Sequence, residues 1–412
     1  MTPSRCVIVG GGTAAAAAAA SLRSAGFDGS LTLVSSADAP PYERPPLSKG
    51  FLTGACSAED LQLRPSSWYD DNDVELRLGT TAEALDVDEH TLTLGDGERI
   101  RYDRVLLATG GTPRRLPDVE SDRVLYLRDI GDAEALAKRL VPGEPLVVLG
   151  GGFIGCEVAA SARALGVDVT VLEMAEQPLQ RVVGAEVGRV VADIHREHGV
   201  TLRTGERVET VRADVDGVRV TTDRGPLECA TLVVAVGLRP STELAVDSGL
   251  AVDGATGGIV VDRFCRTTAP DVYAAGDVAA HDHPRYGRLI RVEHHDNAVR
   301  QGAAAGRAML GERKAYTDPH WFWSDQYTHS IQQVGRADGC DETVVRGSLA
   351  DRDFSMISLS AGRVCAVFAL DRGVDILGGR RLIDSGVTVT AEQLRDESVS
   401  LKKLATAGRS DR

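Results

Sequence analysis

The sequence predicts an α/β protein built on two strand, glycine loop, helix and strand units, with a smaller α+β domain at the C-terminal end. Three observations carry this. Two glycine clusters each follow a short apolar run and open a small-residue helix, they lie about 140 residues apart, and the texture changes after Trp321 to strands followed by a helix. At 412 residues the chain is long enough for two or three domains, each with its own core. With 43% hydrophobic and 26% charged residues the composition is that of a folded globular protein, which excludes a collagen-like or mostly disordered chain. Formal charge is 46 − 60 = −14, so there is no basic footprint for nucleic acid. The seven cysteines are odd in number and none forms a CxxC pair, so they read as reduced thiols of a cytoplasmic protein without a disulfide framework. No HExxH or other metal spacing occurs among the nine histidines, and no metal is expected.

In the first unit, Cys6–Val9 is apolar without alternation, as in a strand covered on both faces. Gly10, Gly12 and Ala15 then fit the pattern GxGxx(G/A). The first glycine permits a tight turn, the second lets a pyrophosphate approach the backbone, and Ala15 keeps the helix close to the strand. A helix through Arg23 and a strand at Leu31–Val34 continue the unit. Residues 6–22 carry no charge and follow Arg5, superficially like a secretory signal, but three consecutive glycines favour strand, phosphate loop and helix. Nowhere else does an uncharged apolar run reach membrane-spanning length.

The pattern returns at Leu146–Leu149, which leads into Gly150, Gly152 and Gly155, an apolar helix and the strand Val169–Leu172 ending in Glu173. Glu173 stands 173 − 155 = 18 residues past Gly155, where a carboxylate accepts hydrogen bonds from an adenosine ribose. Two Rossmann-like units mean two nucleotides. Val105–Gly110 and Leu232–Gly237 are apolar strands ending in a small residue and glycine, suited to close approach by a cofactor. Val272–Asp277 is a third such strand; Asp277 reads either as a carboxylate for polyol hydroxyls or as an ordinary turn or helix cap. From Trp321 onward, Phe354–Leu359, the turn Ser360–Gly362 and Val364–Phe368 read as a hairpin, and Asp375–Ile383 as a short amphipathic helix.

In order, the first glycine loop, PYERPPLSKGFL (41–52), LATGG (107–111), VVLGGGFIGCE (147–157), AVGLRP (235–240), YAAGD (273–277) and WFWSDQY (321–327) resemble the FAD-dependent, NADH-dependent ferredoxin reductases of oxygenase systems. The resemblance runs from about residue 5 to 405. It implies a glutathione-reductase-like arrangement in which an FAD domain (1–112 and 239–318) is interrupted by an NAD domain (113–238) and followed by an interface domain (319–412). Carried over by position, it implies FAD contacts at Gly10, Gly12, Ala14, Ala15, Ser36, Arg44, Lys49, Ala82, Thr109, Arg128, Asp277 and His295. NAD contacts are implied at Gly150, Gly152, Phe153, Ile154, Gly155, Glu173 and Gly237. Lys49 would place a positive charge beside the flavin. Glu157 looks like an acid near the nicotinamide, and Trp323 with Trp321 like a cover for the flavin edge. Taken by themselves, Arg128 reads as a surface ion pair, Glu157 as a helix-surface charge and the two tryptophans as packing on one strand face.

The chain departs from its relatives in two places. Ser36, with Asp38 two residues on, stands where an acid commonly holds the FAD ribose, and a hydroxyl makes the weaker contact. His295 stands where Trp or Val is common, so an imidazole either touches the flavin or faces solvent. The activity implied is transfer of electrons from NADH through FAD to an acidic [2Fe–2S] ferredoxin that supplies a cytochrome P450 or other oxygenase, by a monomer or weak dimer away from membranes. The enzyme alternatives are direct reduction of rubredoxin, a quinone or a small acceptor, and thiol chemistry, which Leu47-Ser48-Lys49 disfavours because no cysteine stands there. From another class comes a redox-sensing flavoprotein resembling apoptosis-inducing factors. Residues 281–315 hold seven Lys/Arg against four acids, 7 − 4 = +3, and with Arg380, Arg381, Lys402 and Lys403 they are the expected docking charges.

Overall fold

A computed structural model describes residues 3–407, which divide between two compact units. Unit one takes the chain up to Arg44, then Ala58–Thr112 and Leu238–His320; unit two takes Pro45–Ser57, Pro113–Gly237 and the chain from Trp321 on.

The first glycine motif begins the central strand of unit one. Arg5–Val9 lies between Ser30–Val34 and Arg104–Leu107, with Val74–Arg77 and Val272–Ala274 at the edges, all parallel. Its unbroken apolar run is explained by burial on both faces. Cys6 and Ile8 join one core with Leu31, Leu33 and Leu106, while Val7 and Val9 join the other with Val34, Val105 and Leu107. The helix Thr13–Ser24 packs on His295–Met309 through small residues. A Cβ on Gly302 would lie 2.3 Å from the Ala14 carbonyl oxygen, and one on Gly306 2.7 Å from that of Ala18. The alanine run thus reflects close helix packing next to the loop.

Unit two repeats the plan with Pro145–Leu149 between Asp168–Glu173 and Thr231–Val234, flanked by Thr201–Thr204 and Val124–Leu125. Its C-terminal part is an antiparallel sheet in the order Trp321–Gln326, His329–Gly335, Arg363–Leu370, Asp353–Ser360, Glu342–Ser348. The expected hairpin is present, turned by Ala361 and Gly362 at φ 48° and 73°, and the expected helix runs Gly373–Ser385. Phe354, Phe368, Ile331 and Leu370 of this sheet form one core with Cys156, Val187, Val191 and Ile194. Each large side chain buried there contributes roughly 1.5–3 kcal/mol, which holds the strand Trp321–Gln326 beside the helix Phe153–Ala164. Among the described residues no helix is long and apolar enough to cross a membrane.

Candidate functional site

The loop of unit one is a cradle that side chains would fill. Gly10 turns at φ 132°, and a Cβ on it would lie 2.1 Å from the Ala108 carbonyl oxygen. Gly12 caps the helix Thr13–Ser24 without a side-chain bond, so the first N–H groups face outward as an anion site. The Arg44 guanidinium comes within 3.0 Å of where a Gly12 Cβ would stand, over the Tyr42 ring. On the other side Gly276 closes on Ala14, its N–H donating to Gln301 Oε1 at 2.8 Å, and half-buried Asp277 follows in the turn Gly276–Val278. Ala15 is fully buried beneath the loop. Gly10, Gly12, Ala14, Ala15, Arg44 and Asp277 are therefore brought together in one unit, and glycine turn, open helix end and guanidinium fit a dinucleotide pyrophosphate.

Other expected contacts are more dispersed. The Thr109 hydroxyl donates to the Ser241 carbonyl at 2.6 Å, a backbone tie. Ala82 opens a strand of a small antiparallel sheet and packs on the core of Val7 and Val9. His295 begins the helix His295–Met309, half-buried. Arg128 belongs to unit two, where its N–H donates to Asp132 Oδ2 at 2.8 Å beside the capping box of Ile130–Arg139. The strand register puts Ser35 in the place that Glu173 takes in the other unit: Val9 pairs Val34 as Leu149 pairs Leu172. Ser35 is buried, accepts the Ala37 N–H at 3.1 Å and presses on Gly11, whereas Ser36 is exposed.

The loop of unit two is tighter. A Cβ on Gly150 would lie 2.4 Å from the Ala235 carbonyl oxygen, and one on Gly155 1.9 Å from that of Gly150. Gly152 caps the helix Phe153–Ala164, again without a side-chain bond. Glu173 accepts the Gly151 N–H at Oε2 and the Ala175 N–H at Oε1, both at 2.7 Å. The Phe153 ring lies 4.7 Å from Phe322, Ile154 is 36% exposed, and the Gly237 carbonyl, at the end of the neighbouring strand, accepts the Arg114 N–H at 3.0 Å.

One turn into the same helix, Glu157 is 5% exposed and meets three donors. Lys49 Nζ lies 2.8 Å from Oε2, the Ser48 hydroxyl 2.5 Å from the same oxygen, and the Ser324 hydroxyl 2.6 Å from Oε1. Lys49 also donates to the Pro45 carbonyl at 3.0 Å, and Ser161 ties down Ser48 through its carbonyl at 2.7 Å. The bland alternative for Glu157, a helix-surface charge, therefore gives way to an ion pair of a buried carboxylate with half-buried Lys49, tolerable because both oxygens are hydrogen-bonded. Trp323 is half-buried and stacks on Trp321 at 5.0 Å and 19°; the buried Trp321 Nε1 has no partner. Sequence reasoning missed Ser324 and Gln326 as site residues. Period-two alternation was the available signal, because it places Phe322, Ser324 and Gln326 on the buried face. No cysteine is in a disulfide, and burial pushes the thiols of Cys6 and Cys265 up to about 12 and that of Cys229 to about 11, so these three stay protonated.

A family model described as pyridine nucleotide-disulphide oxidoreductase matches residues 4–302, and one described as reductase C-terminal matches 321–405. Putidaredoxin reductase CamA of Pseudomonas putida is 38% identical over 98% of this chain and 97% of its own length. Rhodocoxin reductase of Rhodococcus erythropolis is 38% identical over 98% and 95%. The crystal structure of a covalent putidaredoxin reductase–putidaredoxin complex is similar at a TM-score of 0.94 and 37% identity, covering 98% of this chain and 99% of that one. Two glycine cradles on parallel sheets, an antiparallel C-terminal sheet, and relatives alike over their whole length together place the chain in the pyridine nucleotide-disulphide oxidoreductase family.

Proposed function

We propose that the protein is a ferredoxin reductase of an oxygenase system, taking electrons from NADH and delivering them to an iron–sulfur ferredoxin. FAD, when bound, supplies the redox chemistry by accepting a hydride and releasing electrons one at a time. The observation that carries the reading is the buried Lys49–Glu157 pair held by Ser48 and Ser324. It fixes an ammonium between a carboxylate and the Pro45 carbonyl, as expected of a site that stabilises charge on a cofactor and forms no covalent bond to it.

The chain's own residues bind and orient. In unit one the N–H groups after Gly12, with Arg44, hold the FAD pyrophosphate, and Asp277 accepts polyol hydroxyls. In unit two the N–H groups after Gly152 do the same for NADH, while Glu173 takes the ribose hydroxyls. Trp323, stacked on Trp321, is the aromatic that would cover the flavin edge. An acidic ferredoxin face is met by exposed Arg381, Lys402 and Lys403. In residues 281–315, Arg291, Arg300 and Arg307 are paired to Glu293, Asp296 and Glu312 respectively, so the excess is carried by Arg285, Arg288, Arg313 and Lys314 against Asp282, 4 − 1 = +3.

The test is NADH-driven reduction of a panel of [2Fe–2S] ferredoxins, read through cytochrome c, with ferricyanide as acceptor control. Expected is saturable ferredoxin reduction that weakens with salt. Rapid ferricyanide reduction with every ferredoxin inert overturns it, whether or not rubredoxin is reduced in their place.

A further inference from the structure

Behind Glu157, unit two holds a run of buried polar groups for which packing alone gives no reason. Ser324, Gln326 and His195 are 0%, 2% and 0% exposed. Gln326 Nε2 donates to Ser324 Oγ at 3.0 Å, His195 Nε2 lies 3.0 Å from Gln326 Oε1, and the Tyr327 hydroxyl lies 2.9 Å from His195 Nδ1. The directions are forced by chemistry. An amide nitrogen only donates and an amide oxygen only accepts, so Nε2 of His195 carries the proton and Nδ1 accepts from Tyr327. Burial pushes His195 down to about 4, so the ring is neutral in the working range, as this tautomer requires. From Tyr327 to the carboxylate, every bond donates toward Glu157.

The far end is anchored by a backbone conformation that an aromatic residue seldom adopts. Tyr327 turns the hairpin at φ 57°, in the left-handed region, and its ring stacks on His198 at 3.7 Å and 15°. A glycine would make that turn more easily but could hold neither ring nor hydroxyl.

We infer that Gln326 and His195 are positioning residues: they polarise the Ser324 hydroxyl toward Glu157 and so fix the carboxylate that holds Lys49. The inference rests on the proposed role of the Lys49–Glu157 pair. With Gln326 in place the Ser324 oxygen receives one hydrogen bond and its own proton is left for Glu157 Oε1. Without that amide the hydroxyl is free to rotate, one oxygen of the carboxylate loses its partner, and the ammonium loses its fixed seat.

The experiment uses the flavin-loaded protein and the substitutions Gln326→Met and Gln326→Leu. Neither side chain has a donor for Ser324. Both are expected to slow flavin reduction at saturating NADH roughly tenfold, with the KM for NADH changed less than about twofold. Independently of turnover, competitive acylation with acetic anhydride, quantified by mass spectrometry, should label Lys49 about threefold faster relative to Lys138. Loss of packing alone lowers the melting temperature and moves neither ratio. Should Gln326→Met fail to fold, Ser324→Ala removes only the last hydroxyl and carries the same expectation. Wild-type Lys49 labelling and wild-type reduction rates in these variants overturn the inference. Glu157→Gln separates the two claims. If it slows reduction and the Gln326 variants do not, positioning fails alone; if it leaves reduction unchanged, the role of the ion pair fails, and the labelling ratio still decides whether Gln326 orients it.

Discussion

Removing the Glu173 carboxylate should collapse the preference for NADH over NADPH. In the structure that carboxylate bridges the Gly151 and Ala175 N–H groups at 2.7 Å each, half-buried at the strand tip, where we propose that it meets the ribose 2′ position. Hydrogen bonds from a ribose to an ionised acceptor are worth about 1.5–3 kcal/mol, so Glu173→Ala should lower kcat/KM for NADH by about 10- to 150-fold. A 2′-phosphate brings about two negative charges to the same place. At 4 Å each unit charge is repelled by about 1 kcal/mol in water and about 4 at an effective dielectric of 20. Half exposure favours the lower part of that range, so the NADPH penalty is about 2–4 kcal/mol, and it vanishes with the carboxylate. The freed Gly151 and Ala175 N–H groups then become phosphate donors. Combining the lower limits, about 1.5 + 2 = 3.5 kcal/mol, the NADH/NADPH ratio of kcat/KM should fall at least about 300-fold. Glu173→Gln, which keeps an acceptor oxygen and loses the charge, should lie between. The assay is steady-state ferricyanide reduction with each nucleotide at fixed ionic strength. A ratio that shifts by less than about threefold in Glu173→Ala refutes the assignment of Glu173 to the ribose.

Three further outcomes are expected. Ser36→Asp should tighten FAD about fivefold, the worth of one charged hydrogen bond at about 1 kcal/mol, since Ser35 is locked against Gly11 while the next residue, Ser36, is exposed; fluorescence titration of apoprotein measures it, and weaker binding assigns the ribose to Asp38 and sinks the idea. Alkylation, or Cys56→Ser, should leave ferredoxin reduction largely intact because no cysteine is in a disulfide and the Lys49 segment offers Ser48 in place of a thiol; a charge-transfer band abolished by alkylation contradicts this. Burial pushes His195, His281 and His283 down to about 4, below the ordinary 6.5, so the unfolded chain binds more protons between those values. Stability therefore falls as pH drops from about 6.5 toward 4, by up to about 3 kcal/mol for each group. The melting temperature should decline between pH 7 and pH 5, and less steeply in His281→Phe; identical slopes exclude His281 from the effect.

Local chemistry accounts for much of what could be read in the chain. Gly10, Gly150 and Gly155 announce themselves because a backbone that turns sharply, or passes within van der Waals distance of another, tolerates no Cβ, and that requirement depends only on near neighbours. Unbroken apolar runs such as Cys6–Val9 announce strands covered on both faces, and alternation between two cores is how the fold honours them. Glu173 was legible for the same reason, since strand and loop fix its reach to the turn.

Glu157 was a different case. A glutamate in an apolar helix has no local sign of whether it meets water or a partner; only the fold supplies Ser48 and Lys49 from one distant segment and Ser324 from another. The network from Ser324 to Tyr327 was invisible for a stronger reason. His195 and Gln326 are 131 residues apart and polar, and polar residues read as surface until a core such as that of Cys156, Phe354 and Phe368 closes around them. Burial turns a hydrogen bond from a weak preference into a requirement, because in the dry interior an unmet donor has no water to replace its partner. Chain-local geometry is written residue by residue, whereas which polar groups are sealed together is decided only when distant segments pack.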